Sequence, residues 1–429
     1  MKIAVAGAGI GGLVAAKILA DNGHEVHVFE KSAREKISYD WHDDVTRFVF
    51  SNLGLPIPEG HVSEKKNWTF ITPDRQTALT LDVPDDARDY SIDRRALAEL
   101  YISRADKVNF RFGAKADGLI IENDIVKGIT VGGEKVYADL VIDNSGVNSV
   151  LRKSLPASYE AENPSDSEVF HAYRAFHKRT GAPDPEFSNK VYLKHMGEMG
   201  ISWCVVDSED TVDILIGRIG KLTKENLKSA LEALKADNPI LADETVLGGG
   251  IYEIPVRRPA LRFGGENYAL IGDAAFMTIP VLGSGLENSM YAASILAQTI
   301  MREGNAGKET IWKYQAEYYK KVGHKHYETD IIKRWLLGTA PESLNYMFGR
   351  GVISAEDLQN GSSGGEVALT FGTIIDKVKK AFPRIDLLLD LKGCLDRSKK
   401  AGNAARAIPA EYDETAISKW EKSIKKFFN

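Results

Sequence analysis

Cysteine is almost missing from this chain of 429 residues, with only Cys204 and Cys394 present. Two such distant cysteines exclude a disulfide framework and a four-cysteine metal site, and they suit a reducing, cytoplasmic setting. Basic excess is missing too. The chain has 55 Lys and Arg against 60 Asp and Glu, a net charge of -5, whereas a protein made for phosphate backbones carries a net basic face. A nucleic-acid partner is therefore not expected. No run is long and apolar enough to span a bilayer. Met1 to Ala20 comes nearest to a targeting segment, but Gly7, Gly9, Gly11 and Gly12 would each weaken a signal helix by about 1 kcal/mol. That segment is read as part of the fold. No Ser/His/Asp set or metal-ligand spacing stands out, so no metal is expected, and His324 and His326 read as a solvated helix face. What remains is an ordinary globular composition, 43% apolar and 27% charged, long enough for two or three domains.

The informative part begins at residue 3. Ile3 to Ala6 reads as a short buried strand, Leu13 to Asn22 as a helix closed at Gly23, and Glu25 to Phe29 as a second strand. Between the first strand and the helix lies Gly7-Ala8-Gly9-Ile10-Gly11-Gly12. In such a loop the first glycine permits the turn, the second lets backbone approach a pyrophosphate, and the third lets helix pack on strand. Ile10 and Gly11 add amides at the positive helix end. Glu30 ends the second strand, where a carboxylate accepts from ribose hydroxyls, and Lys31 beside it is taken with the same site. This pattern predicts a dinucleotide. It does not choose between FAD and NAD. No second fingerprint of this kind appears, because the glycines at 248–250, 283–285 and 361–365 lack its spacing and context.

Further along, Trp41 to Gly54 and Arg94 to Ala105 read as helices, with strand-like stretches between them through Leu81. Val108 to Ile142 contains several short strands punctuated by Asn123-Asp124 and Gly132-Gly133, as in an antiparallel meander. Strand patterns return from Glu168 to Ile219, followed by a helix over Leu222 to Ala236 and a strand within Leu261 to Ile271. From about Thr310 the pattern is helical, broken by the Gly/Ser stretch Gly361 to Gly365.

Four of these stretches carry a family resemblance. Tyr268-Ala269-Leu270-Ile271-Gly272-Asp273-Ala274-Ala275 resembles the second FAD fingerprint of glutathione-reductase-like flavoproteins. The resemblance implies that Gly272 and Asp273 meet the ribityl or pyrophosphate region. Pro280 to Asn288 resembles the glycine turn and helix start beside the flavin ring, which brings in Gly283, Ser284, Gly285 and Leu286. The partial positive charge of that helix end would stabilise negative charge on a reduced flavin. Ser91 to Leu97 resembles an Asp-Arg helix start whose arginine, here Arg94, contacts the cofactor. Ala138 to Arg152 resembles the segment that carries an Asp-Gly pair in flavin hydroxylases, with Ser145 in the Asp position, as on the reductase and halogenase side. For Arg94 and Arg152 a solvated helix-end charge is the other reading.

The chain is thus similar to the geranylgeranyl reductase and flavin hydroxylase-like superfamily. That implies an α/β fold in which a Rossmann-like FAD-binding domain is assembled from residues 1–55, 88–155 and 256–310. A second, antiparallel-sheet substrate domain would come from 56–87 and 156–255, and a helical C-terminal region from 311–429.

Chemistry at the substrate is harder to read. Trp203, in Gly200 to Val206, matches the tryptophan of a strand lining the lipid cavity of geranylgeranyl reductases, though Ile201, Val205 and Val206 replace that strand's Tyr, Phe and Pro. Trp203 is either a pocket wall or a sheet core residue. Around Tyr39 to Asp44, Trp41 could stack on an unsaturated substrate and His42 or Asp40 could donate a proton, unless Asp43 or Asp44 merely caps a helix. The tail interleaves Lys with aromatics at Lys377 to Phe382 and Lys419 to Phe428. Either it rests weakly on an anionic membrane surface or its aromatics pack back on the domain. The expected function is reduction of a carbon–carbon double bond in a small, largely apolar molecule or lipid. Hydride would come from reduced flavin N5, with NAD(P)H or a reduced protein carrier as electron donor. Hydroxylation through a flavin C4a-hydroperoxide is the rival chemistry, and a flavin-binding electron-transfer protein without turnover is the rival class. The sequence leaves the oligomeric state open.

Overall fold

A computed structural model describes residues 1–64, 67–85, 88–362 and 371–428. The strand Lys2–Ala6 is buried nearly throughout, as a central parallel strand must be when helices cover both faces. It sits inside a six-stranded sheet whose order is Gly264–Gly265, Tyr268–Leu270, Leu140–Asp143, Lys2–Ala6, Glu25–Glu30 and Asn109–Phe112. All its pairings are parallel except that of the edge strand Gly264–Gly265. Three neighbouring strands therefore end on the same side. The loops that leave them, Gly7 to Gly12, Asn144 to Gly146 and Gly272 to Asp273, meet where open parallel sheets bind their ligands. Helix Ile10–Asp21 lies so close to helix Leu286–Glu303 that a Cβ on Gly11 would stand 3.0 Å from the Ser289 carbonyl oxygen. The expected meander is present as Ala116–Glu122, Ile125–Val131 and Glu134–Tyr137.

A second sheet has seven strands, ordered Leu241–Pro255, Val169–Arg179, Thr211–Ile219, Gly200–Val206, Asn189–Leu193, Asn67–Ile71 and Ala78–Asp82. It is antiparallel but for one pair. Alternation divides its residues cleanly. Tyr173, Ala175, Ile214 and Ile216 pack with Ala230 and Leu234 of helix Lys224–Asp237. The opposite face presents Arg174, Phe176, Asp213, Leu215 and Trp203, aligned by the pairings Arg174 with Leu215, Phe176 with Asp213, and Trp203 with Leu215.

The segment expected to be a helix from Trp41 to Gly54 is not one. His42–Val45 is a strand paired with Tyr90–Asp93, which also pairs with Val62–Glu64, and only Val49–Leu53 is helical. Pairing with a distant strand satisfies the backbone and buries Val45, and it overrides the local pattern. Asp43 and Asp44 are consequently strand residues, not caps.

The C-terminal helices divide between two cores. Tyr314, Tyr318, Tyr319, Tyr327 and Ile331, with Ala401 and Trp420 behind them, extend the core of the first sheet. Leu344, Met347, Phe348, Leu387 and Leu388 instead close on Leu193, Phe70 and Ile201 of the second sheet. Helix His324–Gly338 belongs to both, and Lys194 Nζ donates to the carbonyl of Leu337 at 2.8 Å and to that of Thr339 at its end. His326, expected on a solvated face, is 1% exposed. In the terminal helix Glu414–Lys425, Ile417, Trp420 and Ile424 face inward, and Trp420 Nε1 donates to the Ala404 carbonyl at 3.0 Å. Phe428 packs on Tyr327 at 5.7 Å between centroids. Of the two readings of this terminal stretch, packing back is the one observed. Helix Ala355–Ser362 runs through the start of the Gly/Ser stretch, whose remainder lies outside the described residues. Among the described residues no helix is long and apolar enough to cross a membrane.

Candidate functional site

At the end of the parallel sheet, the backbone is packed to the limit of glycine. A Cβ on Gly7 would lie 2.5 Å from the Asn144 carbonyl oxygen, one on Gly9 2.7 Å from Asn144 Nδ2, and one on Gly12 2.6 Å from the Gly7 oxygen. Gly7 also has φ +98, a conformation that excludes most side chains. Helix Ile10–Asp21 starts at Gly9 with no side-chain cap and no acidic residue in its first turn. Its first amides and positive end thus face outward, which is what an anion requires. Glu30 is held ready beside them: its two oxygens accept the amides of Ala8 and Ser32, each at 2.8 Å, and retain lone pairs for ribose hydroxyls. Lys31 is exposed next to it.

Asn144 is a residue that sequence reasoning passed over. Its side chain reaches the Gly7 carbonyl at 3.3 Å, and its Oδ1 would meet a Cβ on Gly272 at 3.0 Å. It joins the two glycine loops. Its place directly after a third parallel strand was the available signal.

The second loop folds on itself. Thr278 Oγ1 donates to Asp273 Oδ1 at 2.9 Å, and burial raises the Asp273 pKa. Gly283 takes a positive φ of +72, and the Ile279 amide donates to the Ser284 carbonyl at 2.8 Å. Gly285 then begins helix Leu286–Glu303, again with no side-chain cap. Ser284 Oγ lies 3.4 Å from the Asp44 carbonyl oxygen, which ties this helix start to the strand His42–Val45. Arg94 Nη1 donates to Asp43 Oδ2 at 2.8 Å and its guanidinium lies 4.7 Å from the Tyr39 centroid. Its Nε is buried with no partner among the described residues, so a donor is left over. Two uncapped helix starts, a cradle that admits no Cβ and an orphaned guanidinium donor fit an elongated, pyrophosphate-bearing cofactor such as FAD.

Arg152 has another task. It is fully buried rather than solvated, donating to the carbonyls of Ala274 at 2.8 Å and Val147 at 2.5 Å beneath the Asp273 loop. Ser145 turns back on its own strand end, its amide and hydroxyl donating to Asp143 Oδ1 at 2.9 and 2.6 Å.

Towards the second sheet the site becomes aromatic. Trp41, 8% exposed, lies parallel to Tyr39 at 4.2 Å and edge-on to Tyr252 at 4.7 Å, and its Nε1 donates to Asp43 Oδ1 at 3.1 Å. Burial pushes the Tyr39 hydroxyl up to about 12, so it stays protonated. Trp41 and Trp203 are brought together around one cation: the Arg174 guanidinium lies 5.2 Å from the first ring and 5.1 Å from the second. Asp213 answers that charge and also accepts from Trp203 Nε1 at 3.3 Å. Trp68 extends the wall 6.3 Å from Trp203.

The two candidate proton donors differ in their partners. Asp40 is ion-paired with Arg95 at 2.5 Å. His42 Nδ1 lies 3.3 Å from Asp207 Oδ1 with its ring edge-on to Phe176 at 5.9 Å. The hydrogen bond to Asp207 raises its pKa against the opposing effect of burial, which favours the protonated, donating form. Arg174, Asp213 and Asp207 were not singled out from sequence.

Known proteins fit this geometry. A family profile described as an FAD binding domain matches residues 1–324. The chain is 23% identical to a digeranylgeranylglycerophospholipid reductase of Sulfolobus acidocaldarius, covering 98% of this chain and 96% of that one. It is 25% identical to the protein of the same name from Methanothrix thermoacetophila, covering 83% and 92%. Among solved structures, a geranylgeranyl bacteriochlorophyll reductase-like protein from Thermoplasma acidophilum superposes with a TM-score of 0.73 at 18% identity, over 92% of this chain and 98% of that one. The flavin-dependent brominase Bmp2, as a triple mutant, gives 0.64 at 15% identity, over 93% and 99%. At these identities the two structures speak to fold alone.

Proposed function

The chain belongs to the FAD binding domain family, and from that premise we propose that it is an FAD-dependent reductase of a carbon–carbon double bond in a largely apolar lipid or small molecule. One observation carries the reading. The second sheet turns a largely apolar face, with Trp203, Leu215, Val191, Ile201 and Phe70, toward Trp41 on the cofactor side and toward the C-terminal helices at the far end. An apolar chain inserted there would lie along aromatic and aliphatic side chains while its reacting end met the cofactor domain. The digeranylgeranylglycerophospholipid reductases that resemble the chain over most of its length support the same substrate class.

In this reading Gly7, Gly9, Ile10, Gly11, Gly12 and Glu30, with Lys31 at the rim, hold the adenosine and pyrophosphate half of FAD. Asp273, Gly272, Arg94 and the turn Gly283-Ser284-Gly285-Leu286 hold the flavin half. FAD held there in its reduced form would be the source of hydride for the substrate carbon. The chain supplies the rest. Trp41 and Trp203 orient the unsaturated bond, the closed aromatic wall excludes water, and the imidazolium of His42 gives its proton to the adjacent carbon while Asp207 holds the ring. The electron donor is NAD(P)H or a reduced protein carrier, neither of which needs a second nucleotide fold in this chain.

The deciding experiment mixes oxidised holoprotein anaerobically with NADH, NADPH or reduced ferredoxin, follows flavin bleaching, and then adds a geranylgeranyl lipid. A product heavier by two hydrogens supports the reading. A product heavier by one oxygen, formed only when air is admitted, would replace it with hydroxylation, and bleaching without any product would leave an electron-transfer protein.

A further inference from the structure

We infer that the turn between helix Phe371–Ala381 and helix Ile385–Arg406 is a docking surface for an anionic lipid bilayer. Large apolar side chains scattered singly over a surface need no explanation, but a cluster does. Here Phe382 is 66% exposed, Leu389 63% and Val378 38%, all within twelve residues. Val378 and Phe382 are four apart, as are Ile385 and Leu389, so each pair shares one side of its segment. Tyr346 fixes the turn from beneath, its hydroxyl donating to the carbonyls of Ala381 at 3.1 Å and Phe382 at 2.8 Å.

Charge selects the occupant. Across residues 376–392 basic side chains outnumber acidic ones, in a chain whose net charge is -5. Lys379 and Arg384 are exposed beside Phe382, and Arg350 reaches the turn by donating from Nε to the Lys380 carbonyl at 3.3 Å. Asp376 and Asp386 moderate this through pairs with Lys380 at 2.7 Å and Arg384 at 2.8 Å. Lys377 points inward to the Val352 carbonyl and Asp357 and adds nothing outside. An apolar tip flanked by Lys379 and by the ion-paired Lys380 and Arg384, with a small basic excess, matches the boundary between headgroups and acyl chains of an anionic leaflet.

Continuity selects it as well. The inner side of the same two helices, through Ala381, Leu387 and Leu388, packs in one cluster with Leu193, Phe70 and Ile201 of the second sheet. The surface that would meet a bilayer is thus the back of the wall that closes the apolar face. The terminal helix is basic too, but its Ile417, Trp420 and Ile424 are spent on packing and leave nothing to insert.

The test is full-length holoprotein sedimented with vesicles of phosphatidylcholine, or of phosphatidylcholine with phosphatidylglycerol, and read without turnover, so it stands apart from the proposed reaction. Binding to the phosphatidylglycerol vesicles is expected, weakened several-fold by high salt, by F382S/L389S and by K379E/R384E. K422E/K426E on the terminal helix is expected to bind as the unaltered protein does. Retained flavin absorbance and an unchanged melting temperature certify that each variant is folded. Failure of the unaltered protein to bind phosphatidylglycerol vesicles would overturn the inference, as would full binding by F382S/L389S or loss of binding in K422E/K426E. If F382S/L389S instead turned a dimer into a monomer with vesicle binding intact, the patch would be a self-association surface and the inference would be wrong.

Discussion

Arg174 and Asp213 lie 39 residues apart in sequence on adjacent strands, and the guanidinium meets the carboxylate in two hydrogen bonds of 3.1 and 2.6 Å. Both are buried, and the cation sits between the rings of Trp41 and Trp203. Removing one member leaves the other charged without a partner. Asp213→Ala should lower unfolding free energy by about 3 kcal/mol or more in urea titrations. Arg174→Met combined with Asp213→Leu should cost clearly less, since no lone charge remains. Equal losses for the single and double variants would contradict this account.

For the glycine cradle, Gly9→Val should give protein that folds but loses FAD on dialysis, because its Cβ would intrude on Asn144 Nδ2 at 2.7 Å. Glu30→Ala should lower flavin retention and also cost about 1 kcal/mol of stability by releasing the Ala8 and Ser32 amides. Flavin-to-protein absorbance ratios before and after dialysis decide both.

The His42 to Asp207 pair makes a prediction about pH. Asp207 raises the imidazole pKa above the ordinary value of 6.5, and proton donation needs the charged ring. Single-turnover rates should hold steady below the raised pKa and fall as pH rises through it. Asp207→Asn should move that fall to lower pH, and His42→Ala should abolish it. The same raised pKa contributes stability that is complete below 6.5 and lost as pH rises through the folded value. A profile unmoved by Asp207→Asn would remove His42 from the role of proton donor.

His326 behaves in the opposite sense. Burial, assisted by the neighbouring His324, pushes its pKa down to about 3. The unfolded chain binds a proton at this position below about 6.5 while the folded one does not, so stability should decline as pH falls from 6.5 toward 3. Substituting Gln should flatten that decline in denaturation midpoints measured across the range.

How much of this could be read in advance followed the reach of each physical requirement. The loop Gly7 to Gly12 obeys constraints satisfied within a few residues, so its turn, strand and helix were plain from spacing, as was the strand exit at Gly272-Asp273. The stretch after Trp41 was misread because its conformation depends on pairing with Tyr90–Asp93, almost fifty residues away. Arg174 and Asp213 looked like ordinary charges in alternating strands. Only the register that faces Phe176 with Asp213 and Arg174 with Leu215 reveals that both point into one apolar face. His326 reads as a surface charge in sequence for the same reason, and a solvated helix end is one of the two readings of Arg152, since burial is a property of what packs around a helix. Asp207 became a partner of His42 only when a hairpin brought it there.

Helix His324–Gly338 begins among the tyrosines behind the cofactor sheet and ends under Lys194 of the other sheet. It is a strut between two bodies rather than an appendage to either. A chain cut shortly after Gly338 would lose the whole wall over the apolar face, yet keep the fingerprints by which such proteins are recognised. A shortened protein of this kind would still turn yellow with flavin while standing open, its reducing equivalents exposed to water and oxygen.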